Sequence, residues 1–133
     1  MCGGMYYYVG MSKHKIAIIE DDAMIGQMYR TKFEMEGFQV EIAGDGKSGI
    51  ELVKDYAPDV VLLDVRMPVM NGDDALREIR KHEWGKKVPV LVLTNTGKEE
   101  FSGAFKALDI VDFVVKADCT PKDVVAKVKK ILG

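Results

Sequence analysis

Short apolar runs alternate with helical patterns through most of this chain, and this alternation strongly limits the folds that it can adopt. The runs lie at residues 16–19, 40–42, 60–63, 90–93 and 113–115, and most are rich in β-branched residues. Runs that are apolar on both faces are typical of parallel strands covered by helices on both sides. We therefore expect an α/β fold, a doubly wound five-stranded parallel sheet of (βα)5 architecture.

Helical patterns occupy the segments between these runs. The first helix is expected over residues 23–36, with Asp22 as its cap and Gly37 at its end. Its inward stripe should hold Ile25, Met28, Tyr29 and Phe33. A second helix is expected over residues 47–56, and a third over residues 73–82 with Asn71 as its cap. Two more helices are expected to begin at capping boxes, one at Thr96 and one at Thr120. Right-handed crossovers then favour the flavodoxin-like strand order 2-1-3-4-5.

Length and composition indicate one small domain. The chain has 133 residues and a formal net charge of −2, which argues against a nucleic-acid partner. Residues 1–13 read as a disordered leader and residues 14–133 as the folded domain. No apolar stretch reaches the ~18 residues that span a bilayer, so we expect no membrane partner. Cys2 and Cys119 are too few for a disulfide scaffold, which suits a reducing, cytoplasmic location.

Polar side chains follow the apolar runs where each expected strand ends. They are Glu20, Asp21 and Asp22 after the first run, Asp64 after the third, Thr94 after the fourth and Lys116 after the fifth. Because the carboxyl ends of parallel strands meet at one edge of a sheet, these groups should converge. Clustered carboxylates favour a hard divalent cation such as Mg²⁺. With Lys116 and Thr94 nearby, the cluster is suited to receive a phosphoryl group, and Asp64 is the best placed nucleophile.

Four segments together resemble the receiver domain of bacterial response regulators, the CheY-like family. They are IIEDD at 18–22, VLLDVRMPVMNG at 61–72, PVLVLT at 89–94 and DFVVK at 112–116. The resemblance extends over about residues 15–133. It implies that Asp64 accepts a phosphoryl group from a phosphohistidine, on a sensor histidine kinase or a histidine phosphotransfer protein.

The resemblance also implies roles for the residues around Asp64. The implied ligands of Mg²⁺ are Glu20, Asp21, Asp64 and the backbone carbonyl of Arg66, while Lys116 pairs with the phosphoryl group. Thr94 and Phe113 form the implied switch, which alters the face of the fourth helix, fifth strand and fifth helix for a downstream protein partner. The implied function is a stand-alone phosphoacceptor receiver. Such a protein is a signalling switch, not an enzyme, that assists only its own phosphorylation and slow dephosphorylation.

Departures from the family pattern leave one alternative open. Ala117 stands where most relatives have a proline in a cis bond, so the bond after Lys116 is either trans or strained. Asn95 is bulkier than the small residue usual after the switch threonine, and Phe113 lacks the hydroxyl of the commoner tyrosine. The alternative is a receiver-like protein-interaction module that is not phosphorylated.

Two other interpretations, a dinucleotide-binding site and a phosphatase, are less consistent with the whole chain. GDGKSG at 44–49 matches a dinucleotide fingerprint with Asp64 about 20 residues further on, but it follows an expected edge strand. It also leaves Glu20 and Lys116 without a role. A phosphatase of the haloacid dehalogenase type needs a second acid two residues after the nucleophile, where this chain has Arg66. The receiver is therefore the preferred interpretation.

Overall fold

A computed structural model of the protein describes residues 14–67, 69–95 and 105–133, and confirms a parallel sheet in the order β2-β1-β3-β4-β5. The strands are β1 (Lys15–Ile19), β2 (Gln39–Ala43), β3 (Val60–Asp64), β4 (Val90–Thr94) and β5 (Asp112–Val115). The α-helices of the described residues are α1 (Ala23–Met35), α2 (Gly46–Tyr56), α3 (Gly72–Arg80) and α4 (Pro121–Leu132). Among these, no helix combines the length and the apolar character needed to cross a membrane.

The core consists of two apolar layers, one on each face of the sheet. Alternate residues of the central strands point to opposite faces, so that Ile19 joins one layer while Ile18 joins the other. Helices α2 and α3 cover the first layer through Val53, Leu76 and Ile79. Helices α1 and α4 cover the second layer through Tyr29, Phe33, Val124, Val125 and Val128. This two-sided burial explains why β1, β3 and β4 are apolar almost throughout.

Of the four caps that the sequence predicts, Asp22 and Thr120 form as expected, and Thr96 lies outside the described residues. Asp22 accepts hydrogen bonds from the backbone N–H groups of Met24 and Ile25, at 2.9 and 3.1 Å. Thr120 and Asp123 form a reciprocal capping box at the start of α4. Asn71 also precedes a helix, but within the described part of the chain its side chain makes no capping bond. There, Gly72 donates its N–H to the Val65 carbonyl at 2.7 Å, so that the main chain satisfies one of the free amides at the start of the helix.

The inward stripe of α1 is narrower than expected. Tyr29 and Phe33 are buried, as predicted, but the side chain of Met28 is 43% exposed. The prediction was wrong for Met28 because that residue lies about 100° around the helix from Tyr29, which places it beside the stripe and not on it.

The connection from β4 to β5 is described only in part. The expected helix after Thr96 lies outside the described residues. The connection is described again from Phe105, which is buried, and continues through a short 3₁₀ turn at Lys106–Leu108. Asp109 then adopts a left-handed backbone conformation, and Val111 donates its N–H to the Val90 carbonyl at 2.9 Å. This bond sets the start of β5 against β4.

A pair of stacked rings follows the end of α3. His82 and Trp84 lie with ring centroids 4.7 Å apart and planes inclined by 9°. Trp84 also packs against the first core layer, and His82 contacts Glu78 on α3 through a 3.0 Å interaction. The loop from α3 to β4 is therefore held in place by aromatic and polar contacts.

Candidate functional site

The strand register brings the predicted polar residues to one edge of the sheet. Ile19 pairs with Leu63 and Asp64 pairs with Leu93, while Thr94 pairs with Val115. The residues that follow β1 and β5 therefore lie level with the last residues of β3 and β4. Chain order separates these groups widely, but the parallel register brings them together as the sequence predicts.

Three carboxylates form a cluster at this edge. Glu20, Asp21 and Asp64 each offer one oxygen, and these oxygens all lie within 4.8 Å of one another. Glu20 and Asp64 are buried, with 2% and 3% of their surface exposed, whereas Asp21 is exposed. The cluster therefore opens to solvent on the side of Asp21. Hard oxygen donors at this spacing suit a small divalent cation.

Lys116 supplies the positive charge beside this acidic cluster. Its Nζ atom lies 2.7 Å from Glu20 Oε1 and 3.4 Å from Asp64 Oδ1. Burial opposes the charge on Lys116, but the hydrogen bond to Glu20 and the charge of Asp64 raise its pKa above the ordinary value. The lysine therefore stays charged and draws two buried carboxylates toward one point.

The local environment makes Asp64 unusually hard to ionise. The pKa of Asp64 is raised from 3.8 to about 7. Burial is the largest cause, the neighbouring Glu20 carboxylate is the next, and Asp21 adds to them, while the positive charge of Lys116 acts in the opposite direction. A carboxylate next to two others gains most from an added cation, because the cation relieves both the burial cost and the repulsion. The cluster is thus electrostatically incomplete with Lys116 alone.

Asp22 has a different role from its neighbours. Besides capping α1, it donates its backbone N–H to Glu20 Oε2 at 3.1 Å. One oxygen of Glu20 therefore meets Asp22 and the other meets Lys116. These two contacts hold the Glu20 carboxylate in a fixed orientation within the cluster.

The loop between β3 and α3 is tightly closed behind Asp64. A Cβ atom on Gly72 would lie 2.3 Å from the carbonyl oxygen of Asp64, so that only glycine fits there. Between Asp64 and this glycine, Val69 has a φ of 71° and a side chain that is 86% exposed. Left-handed backbone is unfavourable for a β-branched residue, and strain of this kind often lies next to functional groups. Sequence reasoning did not reveal it.

The predicted switch residues lie on neighbouring strands. Thr94 is fully buried at the end of β4, and its carbonyl accepts the N–H of Lys116 at 2.7 Å. Phe113 is half-buried on β5 and packs against the first core layer. The described residues contain no cis peptide bond, so the bond between Lys116 and Ala117 is trans. Arg66 follows the site with an exposed side chain.

Comparison with known proteins agrees with this geometry. The sequence model described as response regulator receiver domain matches residues 16–129. The chain belongs to the response regulator receiver family. As a receiver domain it is part of a family of two-component signalling switches, and the resemblance of the four motifs is confirmed.

The curated relatives of this receiver domain are longer than the segment that matches this chain. The regulatory protein AtoC of Escherichia coli K12 is 35% identical over 103 residues, which cover 77% of this chain and 22% of AtoC. The first curated relatives are matched over 22% to 52% of their own length. This chain thus spans about half or less of those proteins.

Solved structures give closer matches in size. CheY4 of Vibrio cholerae superimposes with a TM-score of 0.82 at 27% identity, covering 88% of this chain and 97% of CheY4. The receiver domain of the sensor histidine kinase PA1611 from Pseudomonas aeruginosa PAO1 has a TM-score of 0.77 at 25% identity, covering 90% and 93%. That structure holds a magnesium ion coordinated in its active site cleft.

Proposed function

We propose that Asp64 is the phosphoacceptor of this receiver domain, and that the domain comprises residues 14–133. The observation that carries the proposal is the position of Asp64 at the end of β3, between two other carboxylates and the Lys116 ammonium. A group that is buried, repelled by its neighbours and adjacent to a cation is a strong candidate for chemistry. Asp22 and Asp45 lack this combination because each caps a helix.

The proposed reaction moves a phosphoryl group from a phosphohistidine to Asp64. An Asp64 oxygen forms a bond to phosphorus while the phosphorus–nitrogen bond breaks, and its electron pair returns to the imidazole, which takes up a proton. Lys116 then pairs with an oxygen of the new acyl phosphate, and the Thr94 hydroxyl donates to another. The phosphodonor would be a sensor histidine kinase or a histidine phosphotransfer protein. Hydrolysis by water later returns Asp64 to its carboxylate form.

The donor set fits Mg²⁺ as the cofactor of this reaction. The ligands would be Glu20, Asp21, Asp64 and the backbone carbonyl of Arg66, all of them hard oxygen donors. The related PA1611 receiver holds the same kind of ion in its cleft. When bound, Mg²⁺ supplies positive charge that offsets the repulsion between the carboxylates and the incoming phosphoryl group.

The proposed output is a change of the face that includes β5 and α4. Movement of Thr94 toward the phosphoryl group would leave space that Phe113 fills, and this would alter the surface beside it. A groove of about 290 Å³ lies on this face. Its lining combines apolar and charged groups, from Val111, Asp112, Lys127, Lys130 and Ile131. A downstream protein would dock in this groove. That the receiver acts as a stand-alone protein, with its output on another chain, stays a prediction, and so does its cytoplasmic location.

Acetyl phosphate with Mg²⁺ tests the proposal without a partner protein. Intact-mass measurement should show the gain of one phosphoryl group, and Asp64→Asn should abolish it. Asp22→Asn is the matched control, because it keeps a helix cap next to the cluster and should be phosphorylated like the parent protein.

Two outcomes would contradict the phosphoacceptor proposal. A phosphoryl group that persists in Asp64→Asn would place the reaction at another residue. Failure of the parent protein to gain mass from acetyl phosphate or phosphoramidate, although Mg²⁺ binds, would favour the alternative of a protein-interaction module that is not phosphorylated.

A further inference from the structure

Arg80, the last residue of α3, lies at the end of the sheet opposite to Asp64. Its guanidinium donates to carbonyl oxygens in the loops that lead into β4 and β5, at the amino ends of these strands. The distances are 3.0 Å to Leu108, 3.1 Å to Asp109, 2.9 Å to Gly85, 3.4 Å to Lys86 and 2.8 Å to Val88. One side chain thus connects the end of α3 with two separate loops.

The chemistry of this contact requires arginine. All five acceptors are main-chain carbonyls, and they are distributed over the three nitrogens of one planar group. A lysine ammonium has three donors at a single point and cannot reach both loops in this way. Burial lowers the pKa of Arg80, but the surrounding carbonyl dipoles replace the water that the charge has lost. The arrangement holds a half-buried cation through hydrogen bonds to main-chain carbonyls, with the charge of Asp109 as a further favourable contribution.

The contact to Leu108 and Asp109 sets where β5 begins. Asp109 has a φ of 57°, a left-handed conformation that is uncommon outside glycine, and Arg80 holds its carbonyl. Leu108, Ile110 and Phe113 then pack against the same core layer. Phe113 follows Asp109 by only four residues, so that a shift of this turn would move the aromatic ring relative to Thr94 on β4.

We propose that Arg80 is a positioning residue that fixes the entry of β5 and thereby places Phe113 against Thr94. The effect of Arg80 on switching rests on the proposed function of Thr94 and Phe113. The effect of Arg80 on the entry of β5 does not depend on that proposal. Without Arg80 the turn at Leu108–Asp109 would keep only its apolar contacts and the hydrogen bond from Val111 to Val90. The amino ends of β5 and β4, which both lose carbonyl contacts to Arg80, would then fluctuate more than β1.

Hydrogen exchange in the absence of metal and phosphodonor tests the structural part. In Arg80→Ala, the amides of β5 should exchange about tenfold faster, while those of β1 change less. Millimolar guanidinium should restore slow exchange by refilling the vacated position, whereas NaCl at the same concentration should not. Arg77→Ala is the matched control, because Arg77 lies one turn earlier on α3 and pairs with exposed Asp74. The β5 amides of the Arg77→Ala variant should exchange at the same rate as those of the parent protein.

A purely stabilising residue would give a different pattern. Exchange would then accelerate equally in β1 and β5, guanidinium would have no selective effect, and the proposal would be overturned. Should Arg80→Ala fail to fold, Arg80→Lys provides the same comparison, because it retains charge but cannot bridge both loops. Equal protection of β5 in Arg80→Lys and the parent protein would also contradict the proposal.

Binding of beryllofluoride with Mg²⁺ tests the functional part. This anion imitates an acyl phosphate on Asp64, so its affinity reports the switch equilibrium. Arg80→Ala should change that affinity at least several-fold, and guanidinium should reverse the change. If the parent protein itself does not bind beryllofluoride, the proposed function fails while the exchange experiment still decides the role of Arg80. An unchanged affinity with faster β5 exchange would remove the link to the switch.

Discussion

The two ends of the sheet hold charged side chains in opposite ways. At the carboxyl ends of the strands, Glu20 and Asp64 both contact the Lys116 ammonium and lie within reach of Asp21. At the amino ends, the Arg80 guanidinium is surrounded by carbonyl oxygens of two loops. The first arrangement combines like charges, whereas the second pairs one charge with neutral dipoles.

This difference separates a site that is prepared for a ligand from a contact that is complete. The raised pKa of Asp64 means that the ionised carboxylates at the acidic end destabilise one another in the absence of a metal. All three guanidinium nitrogens of Arg80 donate to main-chain carbonyls, and a cation of this kind has no site for an added metal ion. Changes of metal and pH should therefore act at the acidic end, while Arg80 should respond only to changes in its own contacts.

Removal of Lys116 should have the largest effect on stability. Lys116→Met leaves Glu20 and Asp64 buried without their cation, and the free energy of unfolding without metal should fall by about 3 to 5 kcal/mol. Urea unfolding at pH 7 with a chelator measures it. The double variant Glu20→Gln/Lys116→Met should recover much of this loss, because one buried charge is also removed. A double variant as unstable as the single one would refute the electrostatic cause.

The pH dependence of the metal-free protein should be the next largest effect. The folded state raises the pKa of Asp64 from 3.8 to about 7, so between these values the native state binds more protons than the unfolded state. The contribution of Asp64 to the free energy of unfolding must therefore fall as the pH rises, by about 2 to 4 kcal/mol in total. Asp64→Asn should remove this slope and be more stable than the parent protein at pH 8. Parallel pH profiles for the two proteins would contradict the prediction.

Mg²⁺ should stabilise only through the acidic end. At about 100 times its dissociation constant, Mg²⁺ should raise the free energy of unfolding by about 2.7 kcal/mol, measured by thermal or urea unfolding. Asp21→Asn should reduce this increment, since Asp21 is the exposed member of the cluster. Arg80→Lys should keep the increment although its starting stability is lower. Loss of the increment in Arg80→Lys would mean that the two ends are coupled more strongly than the contacts indicate.

Relief of backbone strain beside Asp64 should have the smallest effect. Val69→Gly removes the left-handed strain of a β-branched residue at a φ of 71°, at the cost of a more flexible unfolded chain. The net change should be a gain of about 0.5 to 1 kcal/mol in the free energy of unfolding. Val111→Gly is the control, because Val111 is also exposed but lacks a positive φ, and it should destabilise. Destabilisation by both would show that the Val69 conformation is not strained.

The sequence was sufficient for the features that depend on side-chain pattern. The apolar runs predicted the five strands, and their parallel arrangement placed Glu20, Asp64 and Lys116 at one edge because strand ends must meet there. Asp22 was correctly predicted as a helix cap, since its position before an apolar helix has a local cause. The roles of these residues in phosphorylation stay predictions.

Features that depend on the main chain could not be predicted. The acceptors of Arg80 are carbonyl groups, which every residue carries, so no residue type marks the contact in the sequence. The conformation of Val69 follows from closure of a loop in which Gly72 presses against Asp64, and valine itself gives no sign of it. Met28 was misplaced because helical period alone does not fix the width of a buried stripe.

The stacked pair after α3 has a practical consequence for experiments. Trp84 is the single tryptophan of the sequence, and it stacks on His82 in the loop that Arg80 clamps, far from Asp64. Its ultraviolet emission should therefore stay constant while Mg²⁺ is titrated into the acidic end. The same dye-free signal should respond when Arg80 is replaced, because Arg80 holds the carbonyls of this loop. This protein thus carries a built-in optical reporter at the end of the sheet that the ligand does not touch.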